Sequence, residues 1–372
     1  MAAGMFAALS YLFYSQIHLT NDLYYSDLRE HIRFAVGDRG YSALYKMMKG
    51  VYLLFGTEDA IAVFESLIVV ATWLGSGYLI TQLYKNKSYF EGVLIALPTT
   101  FLTGIYVPYI YEYFYRRQLV GQPYHNITYY GMRLCAVFVM IIFCKMFENY
   151  LQEIKWTHWV LVTAVLALST SVKPSFFYGF ALTLLIFLII DFIKTKCKLK
   201  PFVKMVIIGL IVIPSLAVMA FQATKLYATP ADDGGTSIAI TFGANFFKLG
   251  KKQALLKTFC SLAFPTLVAL MNIKKLNRNE KFIYLMYLIQ FAVCFTFVEV
   301  GRRGDHGNFY WGLYGGAFFL FLISFSKYIE DLKNYKERNK LYLIAGGILM
   351  LAHIVSSAFY FIAIMQGQRY FM

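Results

Sequence analysis

Hydrophobic residues occur along the chain in long runs that are separated by short, lysine-rich breaks. A helix needs roughly 20 apolar residues to cross a hydrocarbon core of about 30 Å, and most of the runs approach that length. We therefore predict about eleven membrane spans, at residues 2–18, 60–82, 90–110, 128–147, 157–172, 175–193, 203–222, 254–272, 282–299, 309–326 and 341–363. The predicted fold is all-α, a polytopic transmembrane helical bundle that forms a single transmembrane domain over residues 1–372.

The composition excludes most other protein classes. Of the 372 residues, 59% are hydrophobic and 15% are charged, whereas a soluble domain has about half apolar and about one quarter charged residues. One buried core cannot absorb this excess, because a globular chain of this size still needs a polar surface. The composition therefore excludes a soluble enzyme and a disordered chain, and five scattered cysteines exclude a secreted disulfide scaffold.

The formal net charge of +15 indicates membrane orientation and no nucleic-acid partner. Lysine and arginine fall in the short loops between apolar runs, and loops enriched in these residues face the cytoplasm. With a cytoplasmic N-terminus, the lysine-rich breaks all lie inside and the C-terminus lies outside. Two long connections, residues 19–59 and 223–253, then lie on the outer side. The first run lacks a basic start and a cleavage site, so we expect a retained helix and not a signal peptide.

The first outer loop contains a second helical pattern. Its apolar side chains recur at spacings of three and four between residues 41 and 55, at Tyr41, Leu44, Met48, Val51, Tyr52 and Phe55. This spacing predicts an amphipathic helix that lies in the outer membrane interface. An ordinary loop helix is the alternative interpretation.

The unusual polar residues collect in the predicted outer loops, whereas the inner loops contain little beyond lysines. Asp22, Asp27 and His31 stand at the start of the first outer loop, and Asp27 and His31 are one helical step of four residues apart. A carboxylate that is partly shielded from water can act as a general base on a hydroxyl. We therefore predict these three residues as catalytic candidates. The alternative is structural, with Asp22 as a helix cap and Asp27 paired with Arg29 or His31.

The outer loop before residue 309 has the densest polar cluster. Paired arginines hold phosphate oxygens in a bidentate fork, and the three glycines of this loop let a backbone approach a ligand closely. Aromatic residues at the start of the following span suit a sugar face. An ion pair between Glu299 and Arg302 would explain part of the pattern structurally. We predict an anion-binding site whose substrate-binding residues are Glu299, Arg302, Arg303, His306, Asn308 and Trp311.

Two other outer turns add candidate substrate-binding residues. Lys173 stands between two apolar runs, where a lysine is costly unless it reaches water or meets an anion. His125 follows a turn with Gly121 and Pro123 and offers a further donor. The histidines lack the spacing of metal ligands, so we predict no metal site of that type. No cofactor is indicated, and a divalent cation is left open.

One anionic, lipid-borne substrate would use all these groups together. Lysine and arginine at the outer interface would hold its phosphate, aromatic rings would flank a sugar, and a carboxylate would activate an acceptor hydroxyl. Transfer of a sugar from a phosphate leaving group needs stabilisation of the negative charge on that group.

With a cytoplasmic first helix, an outer loop that starts with acidic residues at 21–31, an interfacial helix and some ten further spans, the chain resembles the GT-C glycosyltransferases. The resemblance implies a polyprenyl-phosphate-linked sugar as donor and a glycan or lipid-linked acceptor on the outer face. It also implies a catalytic carboxylate in the first outer loop, here Asp27 or Asp22. We expect the bacterial cytoplasmic membrane as the location and cell-surface polysaccharide biosynthesis as the process.

Other classes of membrane protein compete with this interpretation. An oligosaccharide-repeat polymerase or O-antigen-type ligase would rely on arginine and histidine in outer loops, which the segment 302–306 supplies. A lipid-linked glycan transporter or flippase ranks third, because it would need charged residues within spans or matched broken helices. The sequence shows one clear break, near Pro214, and no symmetry between halves. A structural subunit of a surface-polymer complex would not need these polar outer loops.

Overall fold

The computed structural model describes residues 1–18, 26–37, 40–107, 118–121, 124, 126–228, 234–244, 246–248, 250–304 and 307–366. The chain is 77% helical, so the all-α class is confirmed. Seven helices of this described part are long and apolar enough to cross a membrane: Asp59–Leu83, Ile127–Asn149, Ser175–Lys194, Leu199–Leu226, Lys251–Asn272, Tyr310–Lys333 and Lys340–Met365.

Helices occupy the positions of all the predicted spans, and two more lie in the first long loop. In chain order they are α1 Ala2–His18, α2 Leu28–Val36, α3 Ala43–Phe55, α4 Asp59–Leu83, α5 Tyr89–Thr100, α6 Ile127–Asn149, α7 Trp156–Val172, α8 Ser175–Lys194, α9 Leu199–Gly209, α10 Ile213–Leu226, α11 Lys251–Asn272, α12 Arg278–Thr296, α13 Tyr310–Lys333 and α14 Lys340–Met365. The helix predicted at 41–55 is α3, and it buries Leu44 and Met48.

The core of the bundle is built around α13 and α6. These helices are the most enclosed of the seven, since 89% of the apolar segment of α13 and 78% of that of α6 are buried inside the bundle. α6 packs against α4 and α7, and α13 packs against α5, α8, α11 and α12. Small residues permit close approach: a Cβ on Gly92 of α5 would lie 2.3 Å from the carbonyl oxygen of Gly77 in α4. Helix backbones therefore touch there, as is common in membrane bundles.

The chain also breaks its helices where the apolar pattern alone predicts continuity. α5 ends at Thr100, so the span predicted at 90–110 is wrong beyond that residue, and residues 101–107 are not helical. Side chains of α14 satisfy this buried backbone, because the Thr103 amide donates to Ser357 Oγ at 3.0 Å and His353 Nδ1 donates to the Thr103 carbonyl at 2.9 Å. Irregular backbone at membrane depth is tolerated only when protein or a cavity satisfies it.

Two other interruptions lie in the second half of the chain. The predicted break near Pro214 is confirmed, since a 3-10 turn at Leu210–Val212 separates α9 from α10. A two-stranded antiparallel sheet pairs β1 (Thr236–Ile240) with β2 (Phe297–Gly301). The last residues of the span predicted at 282–299 therefore form a strand. This sheet joins the second long loop to the loop that carries Glu299.

Buried acids at the ends of α8 and α13 form ion pairs with arginines of neighbouring segments. Asp191 of α8 accepts both guanidinium nitrogens of Arg278, one at 3.0 Å, and the Tyr150 hydroxyl at 2.6 Å. Asp331 of α13 forms an ion pair with one guanidinium nitrogen of Arg338 and accepts hydrogen bonds from the Asn272 amide and the Tyr342 hydroxyl, both at 2.7 Å. These contacts tie α8 to α12, and α13 to the segment before α14.

Candidate functional site

The first long loop places Asp27 at the N-terminal end of the short helix that carries His31. Asp27 precedes α2, and its carbonyl accepts the His31 amide at 2.9 Å, which confirms the expected step of four residues. The His31 ring is bonded through Nδ1 to the hydroxyl of Tyr45 in α3, at 2.7 Å. α2 is therefore held against α3, and Asp27 stands at the start of this helical pair.

α3 is fixed in turn to the bundle beside Lys173. The Ser42 hydroxyl, which caps α3, donates to the Val172 carbonyl at 2.8 Å. Lys173 follows Val172 directly, and its Nζ donates to Thr128 Oγ1 at 3.3 Å. The same ammonium lies 4.3 Å from the ring centroid of Trp311. The first outer loop, the turn between α7 and α8, and the start of α13 thus meet at one place.

Glu299 organises the opposite wall of the site from β2. Its carboxylate accepts the Tyr227 hydroxyl at 3.2 Å, lies 3.6 Å from Arg303 Nε, and also accepts the Asn308 amide. Asn308 Oδ1 accepts the indole N–H of Trp311 at 3.2 Å, so the network reaches the ring that faces Lys173. The arginine paired with Glu299 is therefore Arg303, and the expected structural pair with Arg302 is wrong.

The electrostatics confirm that these groups share one environment. Burial lowers the pKa of Lys173, the positive charge of Arg303 adds to this effect, and the carboxylates of Asp27 and Glu299 oppose it. Together these effects bring the pKa to about 7. Burial also raises the pKa of Tyr45, and the charges of Asp27 and Arg303 act on it in opposite directions. Asp27, Lys173, Glu299 and Arg303 consequently lie within electrostatic range of one another.

A cavity of about 370 Å³ opens on the other side of Arg303. Its described lining contains three basic side chains, and the Arg302 amide donates to the Gly235 carbonyl at 2.8 Å across its base. The lining residues are Lys225, Leu226, Ala228, Gly234, Gly235, Thr236, Arg302 and Arg303. A phosphate or another small anion suits this charge.

The structure thus brings together Asp27, His31, Lys173, Glu299 and Arg303 from the predicted set. Asn308 and Trp311 belong to the same network, and Arg302 lines the adjoining cavity. The candidates that lie outside the described residues are Asp22, His125 and His306. Gly301 and Gly307 have φ angles of 81° and 61°, so turn geometry already accounts for these glycines without a ligand.

Sequence reasoning missed the neutral partners of the charged groups. Thr128 contacts Lys173, and Asn126 accepts the Thr128 hydroxyl at 2.7 Å. Tyr227 contacts Glu299, whose charge together with burial raises the pKa of this tyrosine to about 12. Lys225 lines the cavity. Asn126 and Thr128 stand next to His125 at the start of a predicted span, and that position does not indicate a contact with Lys173.

The arrangement can bind an anion beside a carboxylate. Lys173 and Arg303 supply positive charge, Trp311 supplies a flat ring, and Asp27 supplies a carboxylate at the start of α2. Within the described part of the chain, no group of three or more His, Cys, Asp or Glu side chains forms a metal-binding cluster.

No protein-family model matches the chain, and no curated protein matches its sequence.

Proposed function

We propose that the protein is a GT-C-like membrane glycosyltransferase that takes a sugar from a polyprenyl-phosphate donor on the outer face of the membrane. The acceptor is a hydroxyl of a cell-surface glycan or of a lipid-linked saccharide. The observation that carries the proposal is the convergence of Asp27, Lys173, Glu299 and Arg303 at one end of an apolar helical bundle. A water-soluble anion would not require that setting, whereas a lipid-borne phosphate must be met at the membrane surface.

Each group has a defined part in this reaction. Lys173 and Arg303 bind the phosphodiester oxygens of the donor and stabilise the charge that develops on the leaving phosphate. Asp27 accepts the proton of the acceptor hydroxyl, whose oxygen forms a bond to the anomeric carbon as the bond from that carbon to the phosphate oxygen breaks. Trp311 offers a ring face for the sugar. Glu299 holds Arg303, Asn308 and Tyr227 in place.

Substitution of Asp27 tests this assignment. Asp27→Asn keeps the shape of the side chain but removes the base, so transfer should fall by about 10²–10⁴-fold while donor binding is retained. Glu30→Gln is the matched control, because Glu30 lies on the same helix with about half of its side chain exposed. Full activity of Asp27→Asn with loss of activity in Arg303→Ala would favour a repeat polymerase or O-antigen-type ligase. Full activity of both variants would refute the site.

We also propose about eleven spans with a cytoplasmic N-terminus and an outer C-terminus in a bacterial cytoplasmic membrane. The basic short loops support this topology, and so does the presence of a helix at every predicted span. Cys197, an exposed free cysteine between α8 and α9, provides a test without mutation. A membrane-impermeant maleimide should label it in inverted vesicles only. Labelling in right-side-out vesicles would reverse the topology and the assignment of the site to the outer face.

A transporter of lipid-linked glycans is the second candidate, because the structure buries charged residues within its spans. Glu65 of α4 and Arg133 of α6 are both fully buried. Such residues are rare in membrane helices and mark ligand or proton pathways. The early end of α5 at Thr100 adds a broken helix. A protein of this kind would move labelled lipid across a proteoliposome membrane and would form no glycosidic bond.

A further inference from the structure

Glu65 is an ionisable side chain that takes no part in the proposed site around Lys173 and Glu299. It lies in α4, six residues from the start of the helix, which is a depth of about 9 Å along the axis. The residue has no accessible surface, and neither carboxyl oxygen has a hydrogen-bond partner among the described residues. Glu65 also forms no ion pair with any side chain in that part of the structure.

Such a carboxyl is neutral in the packing seen here. Removing a carboxylate from water without a partner costs far more free energy than protonating it. Even the neutral acid leaves two buried polar oxygens unpaired, and an apolar residue of similar size would avoid that cost. Packing between α4 and its neighbours therefore gives no reason for an acid at position 65.

Near Glu65 lies one titratable group, Tyr130, and next to that tyrosine lies one fixed positive charge, Arg133. Tyr130 of α6 is within electrostatic range of Glu65. In the described chain, no helix that packs against α4 adds a charged group that acts on Glu65; these helices are α1, α3, α5, α6 and α13. The Arg133 guanidinium lies 4.8 Å from the centroid of the Tyr130 ring and 4.6 Å from that of the Phe318 ring.

The same aromatic cluster extends towards the outer site. Arg133 also lies 5.4 Å from the ring of Tyr129. The Tyr129 ring is 5.9 Å from that of Trp311, whose ring faces Lys173. A continuous series of rings and cations therefore leads from the level of Glu65 to the outer face. A proton is the one ligand that a site this closely packed can take without a cavity.

We propose that Glu65 is an intramembrane proton-binding site and that Arg133 is its counter-charge. Glu65 holds a proton while Arg133 is enclosed by the aromatic rings. It releases the proton when a rearrangement between α4 and α6 lets the carboxylate approach the guanidinium. This site is independent of the glycosyltransferase proposal, because its ligand and its residues differ from those of the outer site.

Dicyclohexylcarbodiimide tests the proposal without any assay of activity. This apolar reagent reacts with a protonated carboxyl: the carboxyl oxygen bonds to the central carbon, the proton moves to nitrogen, and rearrangement gives a stable acylurea. Purified protein in lipid nanodiscs would be treated between pH 6 and pH 9, and the labelled peptides measured by mass spectrometry. Glu65 should be labelled at pH 6, and labelling should fall at least tenfold by pH 9. Glu30, an exposed carboxylate, is the internal control and should not react.

Two variants separate a proton site from a permanently neutral acid. Without its counter-charge, Glu65 in Arg133→Gln should stay labelled at pH 9, whereas Arg133→Lys should keep the pH dependence of the wild type. If Arg133→Gln does not fold, the profiles of the wild type and of Arg133→Lys decide the question alone. Absence of label at Glu65, or equal labelling at pH 6 and pH 9 in the wild type, would overturn the proposal.

Discussion

The pH dependence of anion binding at Lys173 is the sharpest consequence of the site geometry. Burial and the nearby charge of Arg303 bring the pKa of this lysine to about 7 in the free protein. A bound phosphodiester stabilises the ammonium form, so binding raises the pKa and selects the protonated protein. Affinity should therefore be highest below pH 7 and should decline as the pH rises through that value.

The expected magnitudes follow from this titration. With a pKa of about 7, the protonated fraction falls from roughly nine tenths at pH 6 to roughly one tenth at pH 8, which weakens binding about tenfold. Removing the cation in Lys173→Met should cost about 1.5–3 kcal/mol at pH 6, the strength of a hydrogen bond to a charged group. That loss corresponds to roughly 10–150-fold in Kd.

The assay would measure binding of a dialkyl phosphodiester, whose single charge is constant over this range, to the protein in nanodiscs. Lys173→Arg is the matched control, because a guanidinium does not titrate and its profile should be flat. A wild-type profile as flat as that of Lys173→Arg, or full affinity in Lys173→Met at pH 6, would refute the reasoning.

Two further variants test the site and the opposite ends of the helices. Glu299→Gln should lower the rate of transfer by roughly 10–100-fold, because the carboxylate positions Arg303. Phosphodiester binding should not weaken, because the same carboxylate repels the anion. Weaker phosphodiester binding in this variant would assign Glu299 another role. Asp331→Asn should lower the stability in detergent by about 3–5 kcal/mol, since it removes the buried carboxylate that pairs with Arg338, whose side chain is only 15% exposed. Glu337→Gln, at an exposed position, is the control and should change Tm little in thermal unfolding. Equal Tm shifts in the two variants would contradict the explanation by the Asp331–Arg338 ion pair.

The sequence predicts the positions of the helices in the apolar runs well, because a long apolar run is a local feature of the chain. It also identifies the polar groups of the site, since charged residues in outer loops contrast with the apolar runs around them. Asp27, Lys173 and Arg303 can be selected in this way from the order of residues alone. Their proximity cannot be predicted from the order of residues, because it depends on tertiary contacts such as the one between Ser42 and the Val172 carbonyl.

The features that sequence reasoning missed depend on tertiary contacts. Residues 101–107 continue an apolar run, and the chain leaves the helix there because side chains of α14 satisfy its backbone. The pairing of β1 with β2 joins segments about sixty positions apart, which no local pattern indicates. Glu65 and Arg133 are single charges in apolar runs, so the hydropathy of their spans conceals them.

Identification of the lipid that copurifies with the protein is the decisive test for a polyprenyl-phosphate-linked donor. Native mass spectrometry of protein released from mild detergent would identify bound lipids in the wild type and in a Lys173→Met, Arg303→Ala double variant. We expect a polyprenyl-phosphate-linked saccharide on the wild type and its loss from the double variant. Equal amounts of this lipid on both proteins, or none on the wild type when its host membrane contains it, would contradict the account.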